Sequence, residues 1–369
     1  MKYIDEYRDK VLIKKLAEEI RRKADPARIY NIMEVCGTHT MSVFKFGLRD
    51  ILPANINLMS GPGCPVCVTP NEFIDRAIAI SKIKGVIIAT FGDMLRVPGS
   101  YSSLDKEKAL GADIRVVYST IDALELARKN RSKEVVFLGV GFETTAPTVA
   151  ASIDIARKEK LKNYSVLCAH KTMPEALEAL VRSKDLKADS FLLPGHVSVI
   201  IGRKPYEFLS KRYNKRCVIT GFEPLDIMQA ILMIVEQKTP RVDIQYKRLI
   251  KEGGNRLAKD VIAKVFEKCD STWRGMGVIK RSGLKIRKKY GYFDAEKRFL
   301  NKTIGQVVGQ VVRLRYNKNC ICGDVLKGAK TPKDCGLFGK RCTPENPVGS
   351  CMVSGEGTCA AWYKYSYKL

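Results

Sequence analysis

Residues 56–82 read INLMSGPGCPVCVTPNEFIDRAIAISK, and the order of their patterns decides the predicted fold. A short apolar run comes first, a loop with two cysteines follows, and a helical pattern then begins. The same order recurs at 29–52 and at 134–160. Strands that alternate with helices predict parallel sheets, in which functional groups collect in the loops that follow the strands. The sequence therefore predicts an α/β protein whose chemistry lies in these loops.

A weak internal duplication indicates two related parallel-sheet α/β domains. Residues 67–100 and 169–202 each combine a proline and an acid that open a helix, a later apolar run and a glycine loop at a similar offset. Self-similarity of this kind is typical of repeated structural units. We therefore predict one α/β domain at 50–130, which carries the CPVC loop, and a second at 131–240.

The two ends of the chain are predicted to form the rest of the molecule. A third, mainly helical and irregular domain is expected at 241–369, and its tail from 318 onward is rich in Cys, Gly and Pro. Such a tail buries little apolar surface, so a metal cluster would have to stabilise it. Residues 1–49 contain an amphipathic helix at 6–22 and a CGTHT segment, and we expect them to pack with the C-terminal domain.

The composition indicates a folded cytoplasmic protein. The chain has 369 residues, of which 45% are hydrophobic, and its longest apolar runs are too short to cross a bilayer. The charged N-terminus lacks the apolar core of a signal peptide, so we expect a cytoplasmic location and no membrane partner. Twelve cysteines in a reducing compartment indicate metal sites or redox chemistry rather than structural disulfides.

The net charge of +26 predicts a positive surface potential that attracts nucleic acid or acidic proteins. The densest basic stretch, residues 279–298, interleaves Lys and Arg with Tyr and Phe. Nucleic-acid grooves use this combination. A solvated lysine-rich surface explains it more simply, so nucleic acid is not the predicted partner.

The tail cysteines predict an iron–sulfur cluster. Their intervals do not match the paired C-x2-C knuckles of a zinc ribbon, and the tail has no histidine. Four thiolates from irregular, glycine-rich loops suit a [4Fe-4S] cluster, although a zinc site is the alternative. The predicted ligands are Cys335, Cys342, Cys351 and Cys359, with Cys320 and Cys322 as a separate C-x-C pair of unassigned role.

The two loops near the start of the chain leave several interpretations open. Cys64 and Cys67 could bind a metal, exchange electrons as a dithiol and disulfide, or occupy a turn. In thioredoxin-like pairs of this spacing, loop amides lower the pKa of one thiol. Cys36 follows a strand and precedes His39 by three residues, so a thiolate and an imidazole could approach one iron or one substrate.

Other polar residues at predicted strand ends are weaker candidates. His196 and Glu143 follow apolar runs in LPGHVSVIIG and GFETTAP, where a site is as good an interpretation as a structural role. His170 is expected to be an ordinary buried polar residue. Three further cysteines lie in or beside apolar segments and are expected to be small buried hydrophobes, namely Cys168, Cys217 and Cys269.

Five motifs in this order resemble the hydrogenase maturation factor HypD family: CGTHT, GPGCPVCVTP, GFETTAPT, LPGHVSVIIG and CTPENPVGSCMVSGEGTC. The resemblance runs from about residue 34 to the C-terminus. It implies two related α/β domains and a third with a [4Fe-4S] cluster. It also implies a scaffold on which the iron of [NiFe]-hydrogenase acquires cyanide and carbon monoxide, as Fe(CN)2CO. The implied partners are the chaperone HypC and the cyanide donor HypE.

The resemblance assigns roles motif by motif. Cys36 would bind the iron with His39 close by, and Cys64 and Cys67 would be a redox pair and candidate further iron ligands. Glu356 lies in SGEGTC among the cluster cysteines. Electrons would then pass from the cluster to the dithiol, and from the dithiol to cyanide transfer at the iron.

Two other functions compete with this one. A stand-alone iron–sulfur disulfide reductase would use the cluster and the dithiol without iron at Cys36. A basic iron–sulfur protein could bind nucleic acid through residues 279–298. The sequence favours a metallocentre-assembly scaffold with redox activity over an enzyme that turns over a small molecule.

Overall fold

A computed structural model describes residues 5–300 and 319–366. In this part of the chain the strands are β1 Tyr30–Glu34, β2 Ile56–Ser60, β3 Val86–Thr90, β4 Ile114–Val116, β5 Glu134–Gly139, β6 Tyr164–Cys168, β7 Ser190–Pro194, β8 Arg216–Thr220, β9 Val242–Ile244, β10 Phe266–Trp273 and β11 Gly277–Ile286.

The α-helices of the same residues follow most of the strands. They are α1 Lys10–Lys23, α2 Gly37–Lys45, α3 Leu48–Ile51, α4 Pro65–Val68, α5 Asn71–Ser81, α6 Leu104–Ala109, α7 Thr120–Lys129, α8 Ala146–Lys158, α9 Met173–Val181, α10 Gly195–Ile201, α11 Glu207–Lys211, α12 Pro224–Glu236, α13 Arg256–Val265, α14 Cys322–Leu326 and α15 Thr358–Ser366.

Two parallel sheets form the framework, which confirms the predicted α/β class. The first has the strand order β2-β1-β7-β8-β9 and the second the order β4-β3-β5-β6. All pairings within them are parallel, whereas β10 and β11 form a separate antiparallel hairpin. The central strand β3, VIIAT, is buried at every position, because helices cover both faces of such a sheet.

The strand pairings cross the predicted boundary between residues 130 and 131. Strand β3 pairs with β5 at Val86 and Glu134, so one sheet spans the two predicted α/β domains. Strands β1 and β2 instead join β7, β8 and β9, which lie far along the chain. A strand–loop–helix unit has the same sequence pattern whichever sheet it enters. The pattern therefore predicted the strands and two parallel sheets, but not which strands share a sheet.

The N-terminal segment contributes to the first sheet as well as to the tail. Helix α1 begins after Asp9, whose carboxylate accepts from two backbone N–H groups, and it buries Ile20 against the apolar face of α12. Helix α2 packs on α15, with the Phe44 and Trp362 rings 5.2 Å apart. The predicted contact with the C-terminal region therefore applies to α2, whereas α1 and β1 belong with the first sheet.

The C-terminal region is irregular, as its composition predicts. Residues 301–318 of the predicted 241–369 domain lie outside the described residues. Hydrogen bonds hold the tail to the α/β part: the Ser350 hydroxyl donates to Cys67 O over 2.8 Å, and the Ser354 hydroxyl donates to Asp93 over 2.9 Å. In the basic stretch 279–298, Tyr290 and Phe293 are buried and only Tyr292, 52% exposed, displays its ring, so the stretch offers one ring for stacking on bases. Nothing among the described helices has the length and apolarity to span a membrane.

The loop after β2 lies directly on the loop after β1. Gly61 N donates to Glu34 O over 2.8 Å, and Gly37 N donates to Gly63 O over 3.3 Å. A Cβ atom on Gly63 would lie 2.2 Å from both Cα and N of Cys36. Only a glycine lets the two backbones approach this closely.

Replacing Gly63 with Ala is expected to destabilise the fold strongly, because the added methyl meets backbone atoms that cannot rotate away. Overpacking of this kind costs about 3 kcal/mol or more of unfolding free energy. The control is Gly336→Ala, where a Cβ meets nothing within 4 Å. Urea unfolding of both variants checks this, and equal stabilities would contradict the loop contact.

Candidate functional site

Three loops converge beside the carboxyl ends of neighbouring strands in the first sheet. Cys36 follows β1 as the N-cap residue of α2, and Cys64 follows β2 as the N-cap residue of α4. His196 follows β7 in the first turn of α10. Because β1 lies between β2 and β7, the sheet brings the three loops together.

Cys36 is a buried thiol, only 2% exposed. Burial raises its pKa to about 12, the nearby Glu356 carboxylate adds to the rise, and backbone N–H groups of α2 oppose it. Its Sγ lies 3.8 Å from Nδ1 of His196. The thiol is therefore neutral at neutral pH in the absence of a cation, and an imidazole nitrogen lies beside it.

His39 is fully buried, and its imidazole bonds to the Gly221 carbonyl rather than to the Cys36 thiol. Its Nε2 lies 2.9 Å from Gly221 O, and because a carbonyl oxygen only accepts, Nε2 must carry the proton. Its ring stacks on Phe222, and burial lowers its pKa to about 4. Nδ1 then holds a lone pair without a hydrogen-bond partner. The imidazole in contact with the Cys36 thiol is that of His196, although the sequence favoured His39.

Glu356 joins the tail to the Cys36 loop. The Thr38 hydroxyl donates to its Oε1 over 2.7 Å. A Cβ on Gly37 would lie 2.6 Å from Glu356 O, so the tail backbone lies directly over the start of α2. The structure thus brings Glu356, which is distant in sequence, next to Cys36.

Cys64 and Cys67 form a close, buried pair. Cys67 N donates to Cys64 Sγ over 3.4 Å, and the two thiols are 3% and 0% exposed. Hydrogen bonds that the Cys67 thiol donates to Cys351 and Cys64, followed by burial, raise its pKa well above the thiol range. The lowered pKa typical of thioredoxin-like pairs is therefore absent at Cys67, because its neighbours are other thiols rather than cations.

Thiol contacts continue from this pair into the tail. Hydrogen bonding to Cys322 raises the pKa of Cys351, while its bond to Cys67 acts in the opposite direction. The same neighbour, Cys322, raises the pKa of Cys320. A continuous series of neighbouring thiols thus runs from the C-x2-C pair to the C-x-C pair, with Cys351 in the middle.

All six tail cysteines line one small apolar cavity. Burial raises the pKa of Cys359, and the neighbouring Cys322, Cys342 and Cys335 add to the rise. Among residues 5–300 and 319–366, no three His, Cys, Asp or Glu side chains are arranged to hold one metal ion. The ligands of a cluster bind different irons and so lie farther apart than those of one ion. The cavity is lined by Cys320, Cys322, Cys335, Cys342, Cys351 and Cys359, with apolar neighbours that include Leu337 and Met352.

Two other candidates are also buried. Glu143 is 5% exposed and its Oε1 accepts from Met173 N over 2.9 Å, whereas its Oε2 has no hydrogen-bond partner. His170 is buried with Nδ1 3.4 Å from the thiol of Cys168.

The sequence did not predict where the C-x-C pair lies. Its signal in the sequence was the short spacing of Cys320 and Cys322.

Taken together, these residues define an α/β protein in which a buried cysteine, a C-x2-C pair and a cysteine-rich tail meet at the carboxyl ends of parallel strands. The family model HypD, described as "Hydrogenase formation hypA family", matches residues 11–366. The chain belongs to this family, as the five motifs indicated.

Similar proteins cover nearly the whole chain. Hydrogenase maturation factor HypD2 of Bradyrhizobium diazoefficiens is 48% identical, over 99% of this chain and 97% of that protein. Hydrogenase maturation factor HypD of Azotobacter vinelandii is 46% identical, with the same coverage. The HypD of Escherichia coli is 44% identical over 99% of this chain and 98% of that protein.

Glu143→Gln is expected to stabilise the protein in a pH-dependent way. Burial raises the pKa of Glu143 from 4.5 to about 7, so the folded state binds its proton more tightly than the unfolded state. Stability is therefore lost as pH rises from 4.5 to about 7 and stays lost above that. The glutamine keeps the Met173 bond but cannot ionise.

The gain should reach about 3 kcal/mol of unfolding free energy near pH 8 and vanish near pH 4, below the unfolded-state pKa. Urea unfolding of both proteins at the two pH values measures it. A constant difference between wild type and variant would show that Glu143 does not titrate in this window.

Proposed function

We propose that this protein takes part in [NiFe]-hydrogenase maturation as a scaffold on which iron acquires its cyanide and carbon monoxide ligands. The relatives' names, hydrogenase maturation factor, support the process. The observation that carries the scaffold role is the buried Cys36 thiol, which lies against the dithiol loop through Gly63. A metal-binding thiol next to a two-electron donor is what such an assembly step needs.

Cys36 is the proposed principal ligand of the iron substrate. Iron(II) that carries cyanide and carbon monoxide is soft, so a thiolate suits it better than a carboxylate. Binding must release the Cys36 proton, because the ligand is the thiolate and the free thiol is neutral. The imidazole of His196 lies 3.8 Å away, and His39 holds an unused Nδ1 lone pair nearby. Cys64 and Cys67 are proposed as further candidate ligands.

The tail thiols are proposed to hold a [4Fe-4S] cluster. Six thiols around one apolar cavity fit the donor set that such a cluster needs. When bound, the cluster would supply electrons one at a time. Cys351 was expected among the ligands, but its contacts with Cys67 and Cys322 suit a bridge better. We therefore propose that the cluster ligands are Cys320, Cys335, Cys342 and Cys359.

The dithiol is proposed to supply the two electrons that cyanide transfer consumes. Cleaving the S–C bond of a thiocyanate to release cyanide needs two electrons. Cys64 and Cys67 supply them when they close to a disulfide and release two protons, one of which goes to the donor's thiolate. Attack by Cys351 on Cys67 Sγ and then by Cys322 on Cys351 Sγ would transfer the disulfide to Cys322 and Cys351, leaving the first pair reduced.

Two proteins are proposed to share this site. A HypC-type chaperone would contribute its N-terminal cysteine to the iron, and a HypE-type protein would donate cyanide from a thiocyanate on its own cysteine. The net charge of +26 would favour acidic partners. The hydrogen bond between Thr38 and Glu356 is proposed to hold the tail over Cys36 while the two partner proteins dock.

The experiment compares Cys64→Ala with Cys217→Ala in a strain that lacks its own copy of this factor. Cys64→Ala is expected to abolish hydrogenase maturation, because no disulfide can form, while the cluster's visible absorbance persists. Cys217 is equally buried but lies in β8 away from the thiol series, so its replacement should leave maturation intact. Active hydrogenase in the Cys64→Ala strain would refute the dithiol's role.

Cys351→Ser separates the bridge from the cluster ligands. If Cys351 is a bridge, the variant keeps its cluster absorbance and retains the Cys64–Cys67 disulfide after one cyanide transfer. Loss of the absorbance would instead return Cys351 to the ligand set. Anaerobic absorbance and thiol alkylation mapped by mass spectrometry give both readouts.

A further inference from the structure

A second cavity, partly polar, also reaches the C-x-C pair. Its volume is about 340 Å³, and Cys320 and Cys322 line it together with the 96–106 loop, the start of α5 and the tail segment 345–349. Ligand sites of proteins are commonly about 300–1,000 Å³. The cavity therefore has room for a small molecule in contact with Cys322 of the proposed electron path and with the proposed cluster ligand Cys320.

The walls of this cavity are held in place by arginines. Arg274 is only 5% exposed, and its Nε donates to Thr69 O over 2.7 Å while its Nη2 donates to Pro98 O over 3.4 Å. These two bonds use two of its five N–H groups. Arg96 Nη1 donates to Pro344 O over 3.0 Å and so ties the 96–106 loop to the tail.

The lining offers partners for both a carboxylate and an ammonium group. Arg96, Lys106 and Arg274 supply positive charge, and Asp105 and Glu345 are the acidic side chains of the lining. Guanidinium and ammonium groups of the lining bind a carboxylate, and the Asp105 and Glu345 carboxylates bind an ammonium group. An amino-acid head group satisfies this set.

We propose that the cavity binds a low-molecular-weight amino-acid thiol, of the cysteine or glutathione class, and that this thiol reduces a disulfide of Cys322 and Cys351. This inference rests on the proposed electron path through these two cysteines. The bound thiolate attacks Cys322 Sγ, the Cys322–Cys351 bond breaks, and Cys351 leaves as a thiolate that takes a proton. A second thiol molecule attacks the mixed disulfide, so that two thiols become one small disulfide and both cysteines are reduced.

The test follows the same exchange in reverse on the full-length chain. Cys351→Ser traps the mixed disulfide at Cys322, and L-cystine is compared with cystamine, which lacks only the carboxylates. Each rate is divided by the rate of that reagent with free 2-mercaptoethanol. Cys269, a partly exposed thiol outside this cavity, is mapped in the same digest and corrects for the general positive charge.

At Cys322 the corrected rate for cystine should exceed that for cystamine by about fivefold, the effect of one modest ion pair. Arg96→Gln and Lys106→Gln should each remove most of this preference, and Lys129→Gln, an exposed change outside the cavity, should leave it unchanged. In the unsubstituted chain, formation of the Cys322–Cys351 disulfide should show the same ratio.

Equal corrected rates, or a preference that survives both cavity variants, would overturn the proposal. Reaction at Cys320 alone would also overturn it. None of these results depends on hydrogenase, so the proposed function stands or falls separately through Cys64→Ala. The two failures can therefore be told apart.

Discussion

The site depends on the close contact of the loops that follow β1 and β2. Gly63 allows that contact, since a Cβ there would lie 2.2 Å from the Cys36 backbone. The contact fixes the C-x2-C pair beside Cys36, and the hydrogen bond from Ser350 to Cys67 O then holds the tail against the pair. A buried thiol and a dithiol are thereby joined by backbone contact, and short polar side chains join the cysteine-rich tail to them.

Burial determines the chemistry of these thiols. A thiolate in an apolar interior is poorly solvated, so burial raises the pKa of Cys36 to about 12, while hydrogen bonds to Cys351 and Cys64 together with burial raise that of Cys67 well above its usual range. Neutral thiols can lie close together in the interior without charge repulsion. In the proposed function, these thiols react only when a bound metal ion displaces the proton or when a neighbouring disulfide is exchanged.

Much of the fold could be predicted from the sequence, because strand and helix patterns are local. The helix predicted at 6–22 is observed at Lys10–Lys23, and the three quoted strand–loop–helix units each begin with a strand. Sheet membership could not be predicted, because β1 pairs with β7 although all four strands of the other sheet lie between them in sequence. The residues of the site could be predicted from sequence motifs, whereas most contacts between them could not. Cys36, Cys64 and Cys67 lie together, but the His196 contact and the bridging position of Cys351 arise from long-range packing that spacing does not encode.

The central claim is that iron carrying cyanide and carbon monoxide is assembled on Cys36. The most direct test is the infrared spectrum of the anaerobically purified complex with a HypC-type chaperone, for wild type and Cys36→Ala. The account predicts bands of iron-bound CN and CO in the wild-type complex, and their loss in Cys36→Ala while the cluster's visible absorbance remains. Bands of equal strength in both complexes would contradict it, and a wild-type complex without such bands would instead favour a stand-alone disulfide reductase.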